Sequence, residues 1–256
     1  VSAGAARDHF LGFAAVTGRG ERFKAGGKVV KNVTGYDLPK LLAGSWGTLA
    51  VLTETTLRVA PAPELDRTLV VPTADAAAGV ALLSRALGSA HDVCAAGFDP
   101  AEGCLLRLDG FAASVEARTT ALRAELACET VAVLDGAASR QRWEQHAGAR
   151  ALADASVVWR LSVAPSEAPA VLARLGARRY LLDWGGGLIL AAFDAVDAAH
   201  VRSAFAHGHA TLLKAPRAAR AVTSCFQPLP TVAAAATARL KQAFDPRGIL
   251  NPRRMD

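Results

Sequence analysis

The chain opens on an apolar, strand-like run, Phe10–Thr17, which Gly18-Arg19-Gly20 turns back into Glu21–Ala25. Gly26-Gly27 and a β-branched stretch, Val29–Val33, come next. Asp37-Leu38-Pro39 then has the form of a helix start, with Asp as N-cap and Pro in the first turn. Gly44-Ser45-Trp46-Gly47 stops that helix early. Thr48–Val59, rich in Thr, Val and Leu, reads as a long strand closed by Pro61. Three strands and one short helix bury too little for a two-layer core. Either this piece packs on the rest of the chain or its other half lies elsewhere, and the pattern favours the second.

Pro61-Ala62-Pro63 marks a domain boundary. Beyond it one order of elements occurs twice. Thr68–Val71 reads as strand, Ala74–Leu87 as helix, Val93–Phe98 and Cys104–Leu108 as strands, Ala113–Ala127 as helix and Thr130–Leu134 as strand. After a helix at Ser139–Leu152 the order returns. Val157–Val163 is a strand, Glu167–Leu175 a helix, and Arg179–Asp183 with Leu188–Phe193 a hairpin around Gly185-Gly186-Gly187. Val196–Phe205 is then a helix and Thr211–Lys214 a strand. Each half is β-α-β-β-α-β, the ferredoxin-like order, and two such units would pair antiparallel sheets with helices over one face. Pro216–Pro230 is irregular, Thr231–Phe244 is the last helix, and Ile249–Met255 an extended tail. The expected organisation is therefore α+β, with an incomplete domain at 1–63, a duplicated domain at 64–215, and a segment, 216–256, that returns to the first.

Composition narrows the class without naming a function. The chain is 52% hydrophobic and 20% charged, which suits a globular protein rather than a disordered one. It has no apolar run long enough to span a bilayer and no opening signal peptide, and its start at Val1 predicts a natural start further upstream. Cys94, Cys104, Cys128 and Cys225 form no C-x-x-C pair, which argues against a zinc ribbon, an iron–sulfur cluster or a redox dithiol and points to buried free thiols in a reducing cytoplasm. The net charge of +6 sits at the end: Lys214, Arg217, Arg220, Arg239, Lys241, Arg247, Arg253 and Arg254 face only Asp245 and Asp256. Such an end fits an acidic partner, an anionic cofactor, a membrane surface or an ordinary solvated helix face. Nucleic acid is disfavoured, because no aromatic residues interleave with the charges.

The stretch that carries chemistry is GGKVVKNVTGYDLPKLLAGSWGTLAVLTETTLRVAP, Gly26–Pro61. Gly44-Ser45-x-Gly47-Thr48 places small residues between a helix and a buried strand. There, backbone N–H groups can approach a ligand closely, or the loop can be a simple tight connection. It is neither a Walker A loop nor G-x-G-x-x-G. The order K-N-V-T-G-Y-D-L, L-x-x-G-S-x-G-T-L, T-E-x-T-L-R-V-x-P, with F-D-P-x-G-I-L-N-P-x-R-M at the end, resembles vanillyl-alcohol-oxidase-type FAD-linked oxidases. Arg7-Asp8-His9-Phe10-Leu11-Gly12 resembles the approach to the same subdomain. Trp159–Pro165, Asp183–Gly187 and His209–Pro216 are similar to the FAD-binding subunits of bacterial glycolate oxidases.

The resemblance implies the second half of a VAO/PCMH-type FAD-binding domain plus a duplicated ferredoxin-like α+β cap, with the first FAD subdomain expected upstream of residue 1. It implies FAD as cofactor, lined by Gly44, Ser45, Gly47, Thr48, Leu49 and Val51 through backbone contacts, with Asn251 near the isoalloxazine edge. Lys31, Tyr36 and Asp37 are expected to shape the loop rather than touch flavin. It further implies an FAD-dependent oxidoreductase subunit, inactive as this stretch alone, in an assembly acting on a small 2-hydroxy acid. The expected partners are a homologous flavoprotein subunit and an iron–sulfur subunit. The expected location is cytoplasmic, with peripheral association at the inner face of the membrane. Trp46 replaces the Glu usual in subunits that oxidise the acid, Ala50 replaces a Gly, and Arg253 interrupts N-P-G. Those departures keep open a scaffold subunit without flavin. A stand-alone hydroxy-acid dehydrogenase is the remaining alternative. His207 and His209 lack a nearby carboxylate and read as strand-end residues rather than metal ligands. No nucleophile elbow occurs, Cys225 has no nearby His base, and Trp143, Trp159 and Trp184 read as packing, so no catalytic acid or base is assigned.

Overall fold

The computed structural model describes residues 2–30, 35–127, 132–252 and 254, so the 31–34 part of the Lys-Asn-Val-Thr motif, Cys128 and Arg253 lie outside the described residues. The chain divides into two compact units, one of Ala62–Gln227 with Ser2, the other of Ala3–Pro61 and Pro228–Asp256.

The smaller unit starts with helix α1 (Ala6–His9) and strands β1 (Phe10–Thr17) and β2 (Arg22–Gly26), then helix α2 (Leu38–Leu42) and strand β3 (Ala50–Leu57). The strands form one antiparallel sheet in the order β2-β1-β3. Asp37 caps α2 by accepting from the Lys40 N–H at 3.4 Å, and Pro39 sits in its first turn, as the sequence predicts. Phe10, Phe13, Ala15, Leu42, Leu49 and Ala50 are buried together. Phe10, Phe13, Phe23 and Phe244 run ring to ring with centroids 5.8, 5.2 and 5.9 Å apart. Strand β3 is shorter than the expected 48–59, and like β2 it is an edge strand: after Ala50, residues 51–55 are all exposed.

The larger unit runs β4 (Leu65–Val71), α3 (Ala76–Gly88), β5 (Ala95–Asp99), β6 (Gly103–Gly110), α4 (Ala112–Leu126), β7 (Ala132–Asp135) and α5 (Gly136–Ala147). It continues with β8 (Val157–Ser162), α6 (Ala168–Leu175), β9 (Arg179–Asp183), β10 (Leu188–Phe193), α7 (Ala198–Ser203), β11 (His209–Lys214) and α8 (Arg217–Val222). Its eight strands form one sheet, β11-β8-β10-β9-β5-β6-β4-β7. Each repeat thus contributes four strands in its own 4-1-3-2 order, and the two meet at β5 and β9, where Phe98 faces Leu182. Val80 and Leu83 of α3, Val115 and Leu122 of α4, Val171 and Leu172 of α6 and Val201 of α7 share one core with Leu69, Phe98, Leu106, Trp159 and Ile189. Each fully buried Leu or Phe of this kind contributes about 1.5–3 kcal/mol.

The opposite face carries α5. Trp143 packs there on Val70 and Leu105, and its indole N–H donates to Thr68 Oγ1 at 2.8 Å. Thr68 in turn donates to Ser139 Oγ at 2.7 Å, and Ser139 donates to Asp66 Oδ1 at 2.5 Å. Arg107 closes the chain as the ion-pair partner of Asp66, which is 1% exposed. Every link has one donor and one acceptor, so the network fixes α5 against β4 without an unpaired hydroxyl. The helix expected over 139–152 ends at Ala147, because Gly148 and a left-handed Ala149 (φ 49°) lead into a single 3-10 turn, Arg150–Leu152. Helix α8 falls in the stretch expected to be irregular; none of its residues is buried, so no apolar period announces it. The last element, α9 (Thr231–Phe244), belongs to the smaller unit and also buries none of its residues.

Candidate functional site

The loop between α2 and β3 is built on left-handed backbone. Gly44 (φ +84°) and Gly47 (φ +68°) adopt it without cost, whereas Trp46 (φ 54°) is a bulky residue forced into it. The loop closes on itself: Ser45 N–H donates to Leu42 O at 3.1 Å, and both the N–H and the hydroxyl of Thr48 donate to Ser45 O, at 3.0 and 2.6 Å. Asn251, itself left-handed at φ 39°, donates from Nδ2 to Trp46 O at 2.6 Å. A Cβ on Gly47 would lie 2.8 Å from that same Nδ2, so only Gly lets the tail approach the loop this closely.

Asp245 and Lys241 hold the tail in place. The buried Asp245 carboxylate accepts from the Ile249 N–H at 3.2 Å, the Leu250 N–H at 2.8 Å and Lys241 Nζ at 2.6 Å. Lys241 Nζ also donates to Thr48 O at 2.8 Å and Leu250 O at 3.0 Å, so one ammonium joins the helix, the loop and the tail. Burial pushes the Asp245 carboxyl up, but Lys241 and the two N–H donors outweigh it and hold the carboxyl below the ordinary range. Gly18, whose N–H donates to Phe244 O at 2.9 Å, has no room for a Cβ beside this carboxylate. Lys241, counted in the sequence among the basic residues of a possible docking end, is thus spent inside the unit. The guanidinium carbon of Arg254 lies 4.7 Å from the centre of the Trp46 ring.

These contacts shape a cleft of about 420 Å³ lined by Leu42, Ser45, Gly47, Ala50, Val51, Leu52, Ile249, Leu250 and Asn251. Trp46, Asn251, Pro252 and Arg254 line a more open depression of about 550 Å³. In β3 the register shifts between Ala14 (opposite Glu54) and Ala15 (opposite Leu52), a bulge at Thr53, whose hydroxyl donates to Ala14 O at 3.1 Å. Bulges of this kind re-aim side chains beside sites, and here Val51 and Leu52 both line the cleft.

Of the seven residues singled out in the sequence, Ser45, Gly47, Val51 and Asn251 line this one cleft. Thr48 and Leu49 are instead buried, Leu49 in the aromatic core and Thr48 as a loop-closing hydrogen-bond donor, while Gly44 supplies the turn. Tyr36 is almost fully exposed, and Asp37 is the helix cap. Sequence reasoning did not single out Leu42, Leu52, Ile249 and Leu250, nor the Lys241–Asp245 pair. The i,i+4 spacing of Lys241 and Asp245 was the one available signal. The lining is apolar on the strand and tail sides, with a carboxamide and a glycine-permitted close approach to backbone on the loop side. Such a lining, mostly apolar with a few placed polar groups, is the common form of a small-molecule site. No group of His, Cys, Asp and Glu among the described residues could hold a metal ion.

No family model matches the chain. Among curated proteins, glycolate oxidase subunit GlcE of Escherichia coli (strain K12) is 35% identical over 255 residues, 98% of this chain and 66% of that protein. Glycolate oxidase subunit GlcD of Bacillus subtilis (strain 168) is 42% identical over 67 residues, 26% of this chain and 14% of that protein.

The chain belongs to the FAD-linked oxidases.

It spans just under two thirds of GlcE and smaller shares of its other FAD-linked relatives. An uncharacterized FAD-linked oxidoreductase of Mycobacterium tuberculosis is 41% identical over 75 residues, 29% of this chain and 16% of that protein. Solved structures share the fold. Alkyldihydroxyacetonephosphate synthase superimposes with a TM-score of 0.62 at 16% identity, over 98% of this chain and 55% of that one. Xylooligosaccharide oxidase from Myceliophthora thermophila C1 does so with a TM-score of 0.58 at 15% identity, over 94% and 64%. The α+β class and the FAD-linked oxidase fold expected from the sequence are the ones found.

Proposed function

We propose that the smaller unit of this chain forms one wall of the flavin site of an FAD-binding subunit of a glycolate oxidase assembly, and that the larger unit is that subunit's cap domain. The observation that carries this reading is the 35% identity to GlcE along 98% of the chain. The convergence of Ser45, Gly47, Val51 and Asn251 on one cleft supports it. FAD, when bound, supplies two-electron redox chemistry, and the protein supplies position and electrostatics. Gly47 would let loop backbone come close to the cofactor. The Asn251 carboxamide would stand at its polar edge, while Val51, Ile249 and Leu250 would exclude water from its flank. Gly44, Thr48 and Leu49 would act through the loop, by setting its turn and anchoring it to the core. No residue of this chain is assigned a proton transfer.

In this reading the partners are a homologous flavoprotein subunit, as the similarity to GlcD suggests, and an iron–sulfur subunit that takes the electrons onward. The substrate of the assembly is a small 2-hydroxy acid, and no nucleic acid is involved. No described helix is long and apolar enough to cross a membrane, and the proposed location is the cytoplasm, with peripheral contact at the inner membrane face through basic residues left outside the Lys241 clamp.

The test is an absorbance spectrum of the full-length protein after FAD addition and desalting. Retained yellow flavin, lost on Gly47→Leu with far-UV circular dichroism unchanged, is the expected result. A second reading, a scaffold subunit without flavin, is favoured by Arg254 stacked on Trp46 beside Asn251. A colourless full-length protein that still assembles with its partners would replace the first reading by the second.

A further inference from the structure

The larger unit holds two arginine–tryptophan stacks on opposite faces of its sheet. On the helix-covered face, the Arg202 guanidinium carbon lies 5.5 Å from the centre of the Trp159 ring, and Nη2 donates to the carbonyls of Ser224 at 2.7 Å and Phe226 at 2.8 Å. Those two bonds tie α7 to the segment after α8, while Arg202 Nε is buried without a hydrogen-bond partner among the described residues. Arg160, in β8, lies 5.2 Å from the centre of the Trp184 ring, and among the described residues its guanidinium makes no hydrogen bond or ion pair. Arg160 is partly exposed, so its guanidinium can meet a ligand from solvent while the indole contacts it.

Strand alternation fixes what surrounds it. Trp159 and Leu161 enter the helix-covered core, so Arg160 and Ser162 point to the other face. Arg160 stands opposite Thr211 on β11 and Leu190 on β10; Ser162 stands opposite His209 and Leu188. Directly opposed side chains lie within about 4.5–5.5 Å at Cβ, so two hydroxyls and an imidazole share the arginine's surface, with leucines on its β10 side.

The turn that brings Trp184 over Arg160 is strained. Trp184 (φ 54°), Gly185 (φ +67°) and Gly186 (φ +106°) are consecutive left-handed residues, and Trp is a poor occupant of that region. Asp183 holds it by accepting from the Trp184 N–H at 2.7 Å. Any side chain at either glycine would be strained by the positive φ, and its Cβ would come within 2.5 Å of Leu87 and 3.0 Å of Val80, respectively. The indole held in this way is 42% exposed, unlike the buried Trp159 and Trp143.

We propose that Arg160, stacked on Trp184 and flanked by Thr211, Ser162 and His209, is a binding site for a compact carboxylate anion. The indole contacts the guanidinium, and the N–H groups that take no acceptor among the described residues can meet a carboxylate by two parallel hydrogen bonds. The hydroxyls of Thr211 and Ser162 take a second polar group on the anion. The geometry of β8 carries the site itself; the choice of a glycolate-sized anion rests on the proposed function.

Titration calorimetry of the full-length protein, with tryptophan emission followed in parallel, tests this with glycolate, neutral glycolamide and potassium chloride. Saturable binding of glycolate alone is expected. Arg160→Gln raises its Kd about 10- to 100-fold, as loss of charge-assisted hydrogen bonds does; Arg160→Lys is intermediate, and Trp184→Phe removes the emission change while binding remains. Equal binding by Arg160→Gln, equal binding of glycolamide by the unsubstituted protein, or no saturable glycolate binding overturns the proposal. The glycolamide comparison needs no variant, so a misfolded Arg160→Gln leaves the test intact. Flavin retention is read separately by absorbance. A colourless protein that binds glycolate through Arg160 would refute the flavin reading and keep this site, and a yellow protein that binds none would do the reverse.

Discussion

The two units of this chain use their apolar residues in opposite ways. In the larger one, the helix-facing residues of both repeats close on a shared core, and one run of polar residues beneath α5 is paired link by link from Trp143 to Arg107. In the smaller one, a compact aromatic core holds β1, β2 and α2. Yet β3 is exposed from Val51 to Thr55, α9 buries nothing, and Val59 and Val232 are each 84% exposed. Apolar side chains left open along a strand edge and a helix mark surface that has work to do with something else. Local stability follows the density of buried contacts, so the first unit should be the stable body and the second the adaptable one.

The comparison breaks most readily at its strong end. Asp66→Ala leaves Arg107 partly buried without its partner and should cost about 3–5 kcal/mol in urea unfolding. Phe98→Ala, at the seam of the two repeats, should cost a similar ~3–5 kcal/mol. The matching substitutions in the smaller unit, Val59→Ser and Val232→Ser, should stay within about 0.5 kcal/mol. Comparable losses in both units would erase the distinction.

Limited proteolysis sharpens it next: cleavage should begin within 3–61 or 228–256 and leave 62–227 intact, and equal resistance would mean that the smaller unit is better closed than its exposure implies.

Two titrations separate the units by pH. The Asp245 carboxyl is held below its ordinary value. Its contribution is therefore complete above the unfolded pKa of about 3.9 and is lost as pH falls through the lower folded value. Asp245→Asn should abolish that acid loss and raise proteolysis of the tail at neutral pH. In the larger unit, burial lowers the pKa of His146, with Asp183 opposing; its Nε2–H donates to Leu182 O at 3.0 Å, and Nδ1 is buried without a partner among the described residues. His146 thus favours the folded state fully above about pH 6.5, and that stability declines as pH falls and the unfolded imidazole takes up a proton. Urea midpoints should drop from pH 7 to pH 5 in the unsubstituted protein more than in His146→Gln. The smallest effect concerns Cys94, whose thiol burial pushes up to about 12. Iodoacetamide should label it slowly at pH 7.5 in the folded protein and at an ordinary rate in urea.

The sequence by itself determined the doubled β-α-β-β-α-β order, the cap at Asp37, the glycine loop before β3 and the place of the last helix, because each rests on local period, propensity or turn chemistry. Ser45, Gly47, Val51 and Asn251 were singled out by the resemblance to FAD-linked oxidases, through the motifs of 26–61 and of the closing segment, because short-range physics alone left the glycine loop open as a simple tight connection. Only the tertiary structure decided that these four meet in one cleft while Leu49 and Thr48 turn inward, because a strand's alternation leaves its faces unassigned until a bulge and a core choose between them. Only the fold made Lys241 a clamp instead of a docking charge, since its acceptors, Thr48 O and Leu250 O, are 193 and 9 residues away. The contrast between Arg202, which donates to two carbonyls, and Arg160, which meets the Trp184 indole and makes no hydrogen bond among the described residues, was likewise invisible in the letters. Two arginines near two tryptophans look alike in a chain, and what distinguishes them is the side of a sheet on which each is set.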